Sequence, residues 1–195
     1  MPPRPFPYPL RIGNDICSIR RVRRLITRNK RDKAELPTLT SFIRRILTPP
    51  EIHDFWHRFG PETVVQHKTD DISRYLAGRF AAKEACRKAC PHFHANTRGF
   101  QRILILPGGS ADAVQSGRPR ALILDAVYGA SRVPAVSDGE QGDLRVDGDE
   151  VFGSLEGQVC EVSISHDGEY AVAVALVPEM ENGGMVEGRG YGDGL

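Results

Sequence analysis

The chain of 195 residues contains no apolar run approaching the roughly 20 residues that span a bilayer, so no membrane-crossing helix is expected. It has only four cysteines, Cys17, Cys86, Cys90 and Cys160, and their spacing fits no disulfide framework. A reducing compartment follows from that. The N-terminus is proline-rich and lacks the apolar stretch of a secretory leader, so no secretory signal is expected. No Gly-x-Ser-x-Gly elbow surrounds any serine, which argues against a hydrolase nucleophile. Aromatic residues make up 7% of the chain, and none interrupts the basic stretch Arg20 to Lys33. Single-strand nucleic-acid binders need interleaved rings for stacking, so that function has little to rest on.

What is present describes an ordinary globular protein. Hydrophobic content is 40% and charged content 26%, and the length suits one domain with a true core. The net charge of +1 conceals an asymmetry. Arg20 to Arg45 holds ten Lys or Arg against Asp32 and Glu35, whereas Val133 to Leu195 holds fourteen Asp or Glu against Arg145 and Arg189. The basic stretch is suited to an acidic partner, either nucleic acid or a small acidic protein.

Tyr8 to Ile19 alternates like a strand, and Arg20 to Phe42 reads as a basic connection. Thr48-Pro49-Pro50-Glu51 combines a cap, prolines for the first turn and a glutamate at capping-box spacing. The helix it opens would bury Ile52, Phe55, Trp56 and Phe59 and stop at Gly60-Pro61. Asp70-Asp71 leads into a longer helix, Ser73 to Cys90, closed by Pro91. Strands are expected at Gln101 to Leu106 and Arg120 to Val127. Residues 129–157 are rich in Gly, Asp and Ser and read as a mobile insertion. Val159 to Ser165 and Tyr170 to Val177 pattern as a hairpin joined through His166-Asp167-Gly168-Glu169. The domain then covers 1–178, with a Gly- and Glu-rich, disordered tail at 179–195. The expected fold is α+β, a small antiparallel sheet packed on helices.

On the long helix Leu76, Phe80, Glu84 and Lys88 share one side. Two apolar members seek the core, so Glu84 should emerge at the border of an apolar surface. A carboxylate there suits a hard cation such as magnesium. It equally suits an exposed pair with Lys88, worth about 0.3–0.5 kcal/mol. Asp15, at the end of the first strand, reads on its own as a turn or cap residue. Ser163 and Ser165 alternate with Val162 and Ile164, followed by His166. Cys86, Cys90, His92 and His94 offer zinc-type donors within nine residues, at a spacing that matches no common zinc module.

Taken together and in order, Gly13-Asn14-Asp15, Phe80-Ala81-Ala82-Lys83-Glu84-Ala85-Cys86-Arg87-Lys88, Gly117-Arg118-Pro119 and Ser163-Ile164-Ser165-His166 resemble the phosphopantetheinyl transferases of the small holo-acyl-carrier-protein synthase type. Arg45-Ile46-Leu47-Thr48 and Tyr75-Leu76-Ala77-Gly78-Arg79 add to the likeness. The resemblance implies transfer of 4′-phosphopantetheine from coenzyme A to a serine of an acidic acyl carrier protein, leaving 3′,5′-ADP. It implies Asp15 and Glu84 as ligands of Mg2+, Lys88 and His166 at the phosphates, and Arg79 and Lys83 as further cations. Gly117, Pro119 and Ser165 would also face coenzyme A. Arg20, Arg21 and Arg24 would dock the carrier protein, with no nucleic acid and no membrane involved. A homotrimer is implied as well. The insertion and the tail suggest a eukaryotic, fungus-like source and a mitochondrial address, with a cytoplasmic one as the alternative.

Three departures from the family pattern stand out, one being that the insertion 129–157 replaces what is usually a short helix region. Ser18 occupies a position that is often acidic, and Ala89-Cys90-Pro91-His92 replaces a Gly-rich loop.

Overall fold

The computed structural model describes residues 8–28, 37–90, 99–107, 118–128 and 148–179. In chain order they form β1 (Leu10–Ser18), α1 (Ile19–Thr27), α2 (Pro37–Ile46), α3 (Pro49–Phe59), α4 (Glu62–Val65), α5 (Thr69–Ala89), β2 (Ile103–Pro107), β3 (Pro119–Leu124), α6 (Gly148–Gly153), β4 (Gly157–Asp167) and β5 (Tyr170–Pro178). The fold is α+β. One antiparallel sheet has the order β1-β5-β4-β3-β2, so the first and last strands of the chain lie side by side. None of the described helices is long and apolar enough to cross a membrane.

α5 is the organising element. It carries Ile72, Leu76, Ala77, Ala81, Ala82, Ala85, Cys86 and Ala89 into the core, and the sheet meets it with Ala171, Ala173, Ala175 and Val177 of β5. Small residues on both surfaces bring helix and strand close. The approach is tightest where β1 passes α5: a Cβ built on Gly13 would lie 1.9 Å from the Ala85 carbonyl oxygen. Only a residue without a side chain fits there. Gly13→Ala should therefore force β1 from α5 and cost at least about 2 kcal/mol in chemical denaturation.

Several expectations change. Arg20 to Phe42 is not a plain connection. Ser18 accepts a hydrogen bond from Arg21 N at 3.3 Å and caps α1, which buries Val22 and Ile26 one turn apart. The basic residues that hid this helix lie on its outer side. α5 begins at Thr69, earlier than the expected Ser73, placing Asp70 and Asp71 in its first turn, where the dipole favours them. The hairpin turn is narrower than the four residues read from sequence, because Asp167 already pairs with Tyr170. The last part of the expected insertion is folded: α6 sets Phe152 against Leu104, Leu106, Leu122 and Leu124. Its remainder, 129–147, and the tail from 180 lie outside the described residues. Glu179 pairs with Arg11, and its N–H donates to the Pro9 carbonyl.

Among the described residues, the face of the sheet away from α5 is covered at one end only. α6 lies over the β2–β3 end. Over β5 and β1, Val172, Val174, Leu176, Ile12 and Ile16 are open to solvent, the last two 70% and 60% exposed. β5 thus turns its alanines inward and its larger residues outward.

Candidate active site

The Gly13–Ala85 contact sets the first strand against the C-terminal half of α5 and so brings together residues from two motifs. Lys88 Nζ donates to Asp15 Oδ1 at 2.8 Å and to the Asn14 carbonyl at 2.9 Å. One turn earlier, Glu84 Oε1 accepts from Arg87 Nη1 at 3.0 Å. The progression expected along α5 is present: Leu76 is buried, Phe80 half-buried, Glu84 24% exposed and Lys88 50% exposed. Asp15 is 16% exposed. Two carboxylates at the edge of the core each hold a cation. Their oxygens are the donor type that magnesium prefers, and two protein carboxylates leave coordination positions for water and phosphate. The donor set fits that ion. No group of three or more His, Cys, Asp or Glu suited to a metal occurs among the described residues.

Lys83 requires a correction. The resemblance sends it to coenzyme A, but its ammonium is wholly buried. It donates to Glu51 Oε2 at 2.5 Å, to the Ile46 carbonyl at 2.8 Å and to the Phe100 carbonyl at 3.1 Å. Position 83 follows Ala82 on the inward side of α5, where no solvent route leads to a phosphate. Burial pulls the ammonium below the usual lysine range, against the opposing pull of Glu51.

Arg79 is also nearly buried, its guanidinium 4.9 Å from the centre of the Tyr75 ring, yet its Nη1 has no hydrogen-bond partner. A buried guanidinium donor left unsatisfied is costly, and a ligand oxygen would relieve it.

The C-terminal motif stands apart from Asp15 and Glu84. His166 packs over Gly78, and its Nε2 lies 3.1 Å from the Arg74 carbonyl. Strand alternation puts Ser165 on the opposite, open face of the sheet. Pro119 begins β3 at the far side, paired with Pro107, and Gly117 lies outside the described residues.

The basic patch is real, and α1 shapes it. Ser18, Arg20, Arg21, Arg24, Leu25 and Arg28 line a groove along the helix. Arg21 is its most fixed member, with Nη2 3.6 Å from Cys17 Sγ and its guanidinium 5.4 Å from the centre of the Phe80 ring. The zinc alternative fares poorly. Burial pushes the Cys90 thiol to about 11, and a hydrogen bond to Cys160 together with burial holds Cys86 well above the ordinary thiol range. Raised thiols make the thiolate that zinc takes costlier to form. His92 and His94 lie outside the described residues.

Two residues of this region escaped the sequence. Arg87 falls at an unspecified position of the helix motif, and its i,i+3 spacing from Glu84 was the available signal. Glu51 was legible as a capping residue, but its role as the acceptor for Lys83 required the tertiary fold.

Residues 11–125 match the model of the 4'-phosphopantetheinyl transferase superfamily. The chain is a member of that superfamily. Among its relatives is the "4'-phosphopantetheinyl transferase B, mitochondrial" of Aspergillus fumigatus, 37% identical over 180 residues, which are 88% of this chain and 95% of that protein. A holo-[acyl-carrier-protein] synthase of Listeria monocytogenes is 32% identical over 112 residues, covering 57% of this chain and 74% of the other. Among solved structures, the Helicobacter pylori holo-[acyl-carrier-protein] synthase in complex with coenzyme A is 27% identical, with a TM-score of 0.46 over 85% of this chain and 98% of that one. At that level of superposition, membership in the superfamily rests on the sequence matches.

Proposed function

We propose that the protein transfers 4′-phosphopantetheine from coenzyme A to a serine hydroxyl of an apo acyl carrier protein, releasing 3′,5′-ADP. One observation carries this reading: Asp15 and Glu84, from two separate motifs, stand beside Lys88 and Arg87 at one rim of the core. Asp15 and Glu84 would hold Mg2+, which when bound would supply Lewis-acid charge to the diphosphate and to the departing ADP. Lys88 would turn from Asp15 toward a phosphate oxygen and add a positive charge where negative charge develops. Such transfers depend mainly on positioning and charge neutralisation. Arg79, with a buried Nη1 in search of an acceptor, suits a phosphate of coenzyme A. Pro119, Gly117, Ser165 and His166 would line the rest of the coenzyme A site.

The open face of β1 and β5 supports an assembly of identical copies. Ile12, Ile16, Val172, Val174 and Leu176 form a contiguous apolar surface on the side away from the small inward residues of β5, and a monomer gains nothing from exposing it. A homotrimer would bury it and would bring the His166 end of one copy toward the Asp15 end of another. Ile16→Glu is expected to yield monomers in sedimentation and to lose most transfer activity.

The acidic helix of a carrier protein would dock in the α1 groove, where Arg20, Arg21 and Arg24 supply charge and Leu25 an apolar contact. Arg20→Glu with Arg24→Glu should raise the KM for carrier protein about tenfold at low salt, with a smaller effect at high salt. The transferase domain would span residues 1–178. The mitochondrial name of the Aspergillus relative supports a mitochondrial address. Incubation with coenzyme A, magnesium and an apo acyl carrier protein tests the activity through the mass added to the carrier.

A further inference from the structure

We propose that Arg87 is a second diphosphate-binding cation, released from Glu84 when metal and coenzyme A bind together. The inference deepens the transferase reading and rests on it. The guanidinium is built into place. Nη1 holds Glu84 Oε1 at 3.0 Å, and the guanidinium carbon lies 5.3 Å from the centre of the Phe100 ring. A Cβ on Gly99 would come within 3.1 Å of Nε, so Gly99 leaves the room that the guanidinium occupies. Nε itself is buried and has no hydrogen-bond partner, although three quarters of the side chain is covered. An arginine that served only as a helix-surface partner of Glu84 would place its Nε in water.

Charge balance gives the arrangement its logic. Asp15 and Glu84 contribute two negative charges, and Lys88 and Arg87 contribute two positive ones. A divalent ion arriving alone would have to displace two cations and leave them beside it. A diphosphate arriving alone would meet cations already committed to carboxylates. Arriving together, the ion can take the carboxylates while Lys88 and Arg87 turn to the diphosphate, and every charge stays paired. Metal and coenzyme A therefore bind cooperatively, and Arg87 opposes the one while favouring the other.

This predicts opposite signs for one substitution. Mn2+ serves as a spectroscopic stand-in for Mg2+ and is titrated into the full chain without coenzyme A. Arg87→Ala should bind it about three- to tenfold more tightly, because a competing cation is gone. In saturating Mg2+ the same variant should bind coenzyme A about tenfold more weakly. Dephospho-coenzyme A, which keeps the diphosphate but lacks the 3′-phosphate, should suffer the same loss. Arg87→Lys should lie between wild type and alanine in both titrations, and Arg87→Gln, which keeps polar bulk beside Phe100, should follow alanine. A purely structural role would move both affinities the same way, in step with the melting temperature, and that result overturns the proposal, as does an unchanged pair of affinities. A wild type that neither binds Mn2+ nor transfers phosphopantetheine would instead bring down the metal site itself.

Discussion

Asp15→Ala and Glu84→Ala are each expected to lower the rate of phosphopantetheine transfer by on the order of 10²- to 10³-fold or more, with the fold retained. Each carboxylate would be half of the protein's hold on the metal, and losing one transition-state stabiliser of this type carries that magnitude. Neither side chain is needed for the core. Asp15 lies within β1 rather than at the strand end expected from sequence, 16% exposed with its partner Lys88 half in water, and Glu84 faces Arg87 at the rim. Lys88 is half exposed and can be solvated when left alone, so Asp15→Ala should cost about 1 kcal/mol or less, whereas Arg87 is three-quarters covered and Glu84→Ala should cost about 1–2 kcal/mol. Asp15→Asn and Glu84→Gln should behave like the alanine variants, because size is kept and only charge is removed. Steady-state transfer rates beside melting curves check this. Near-normal rates in either carboxylate variant would remove that residue from the metal site.

The second large effect is in stability. Glu51→Gln and Lys83→Met should each destabilise the protein by about 3–5 kcal/mol, as expected when one partner of a buried ion pair is removed. The reason is the number of groups that depend on the pair. Glu51 accepts from Thr48 N and Thr48 Oγ1, both at 2.7 Å, from Ile105 N at 3.1 Å, and from Lys83. Lys83 adds the Ile46 and Phe100 carbonyls. One ion pair thus joins the start of α3, the middle of α5 and the strand β2. Thermal unfolding should shift by roughly 10 °C for either single variant. Glu51→Leu combined with Lys83→Met should lose less than the sum of the single changes, because no buried charge is left alone. Equal and additive losses would contradict this account of the pair.

These residues mark how far the sequence could be read. The long helix, the capping box at Thr48 and Glu51, the hairpin and the α+β class were all legible, since apolar periodicity and turn chemistry act locally. α1 was not, because Val22 and Ile26 are its only buried positions and the arginines around them obscure the pattern. Lys83 misled for a different reason. A lysine in a motif beside a glutamate suggests chemistry at the surface, and its burial depends on an acceptor 32 residues away in the chain. α6 lay in a stretch of glycine and acid that carries no period, and Phe152 became intelligible only against the leucines of β2 and β3. The co-occurrence of the two motifs was legible, but the sequence paired Lys88 with Glu84; its bond to Asp15 instead depends on the close approach that the bare Cα of Gly13 allows.

The most direct test is the mass of an apo acyl carrier protein after incubation with the protein and coenzyme A, with magnesium in one sample and a chelator in the other. The account predicts the gain of one phosphopantetheinyl group with magnesium, none with chelator, and none when Asp15→Ala replaces the wild type in the presence of magnesium. Equal modification with and without metal, or full modification by Asp15→Ala, would contradict it.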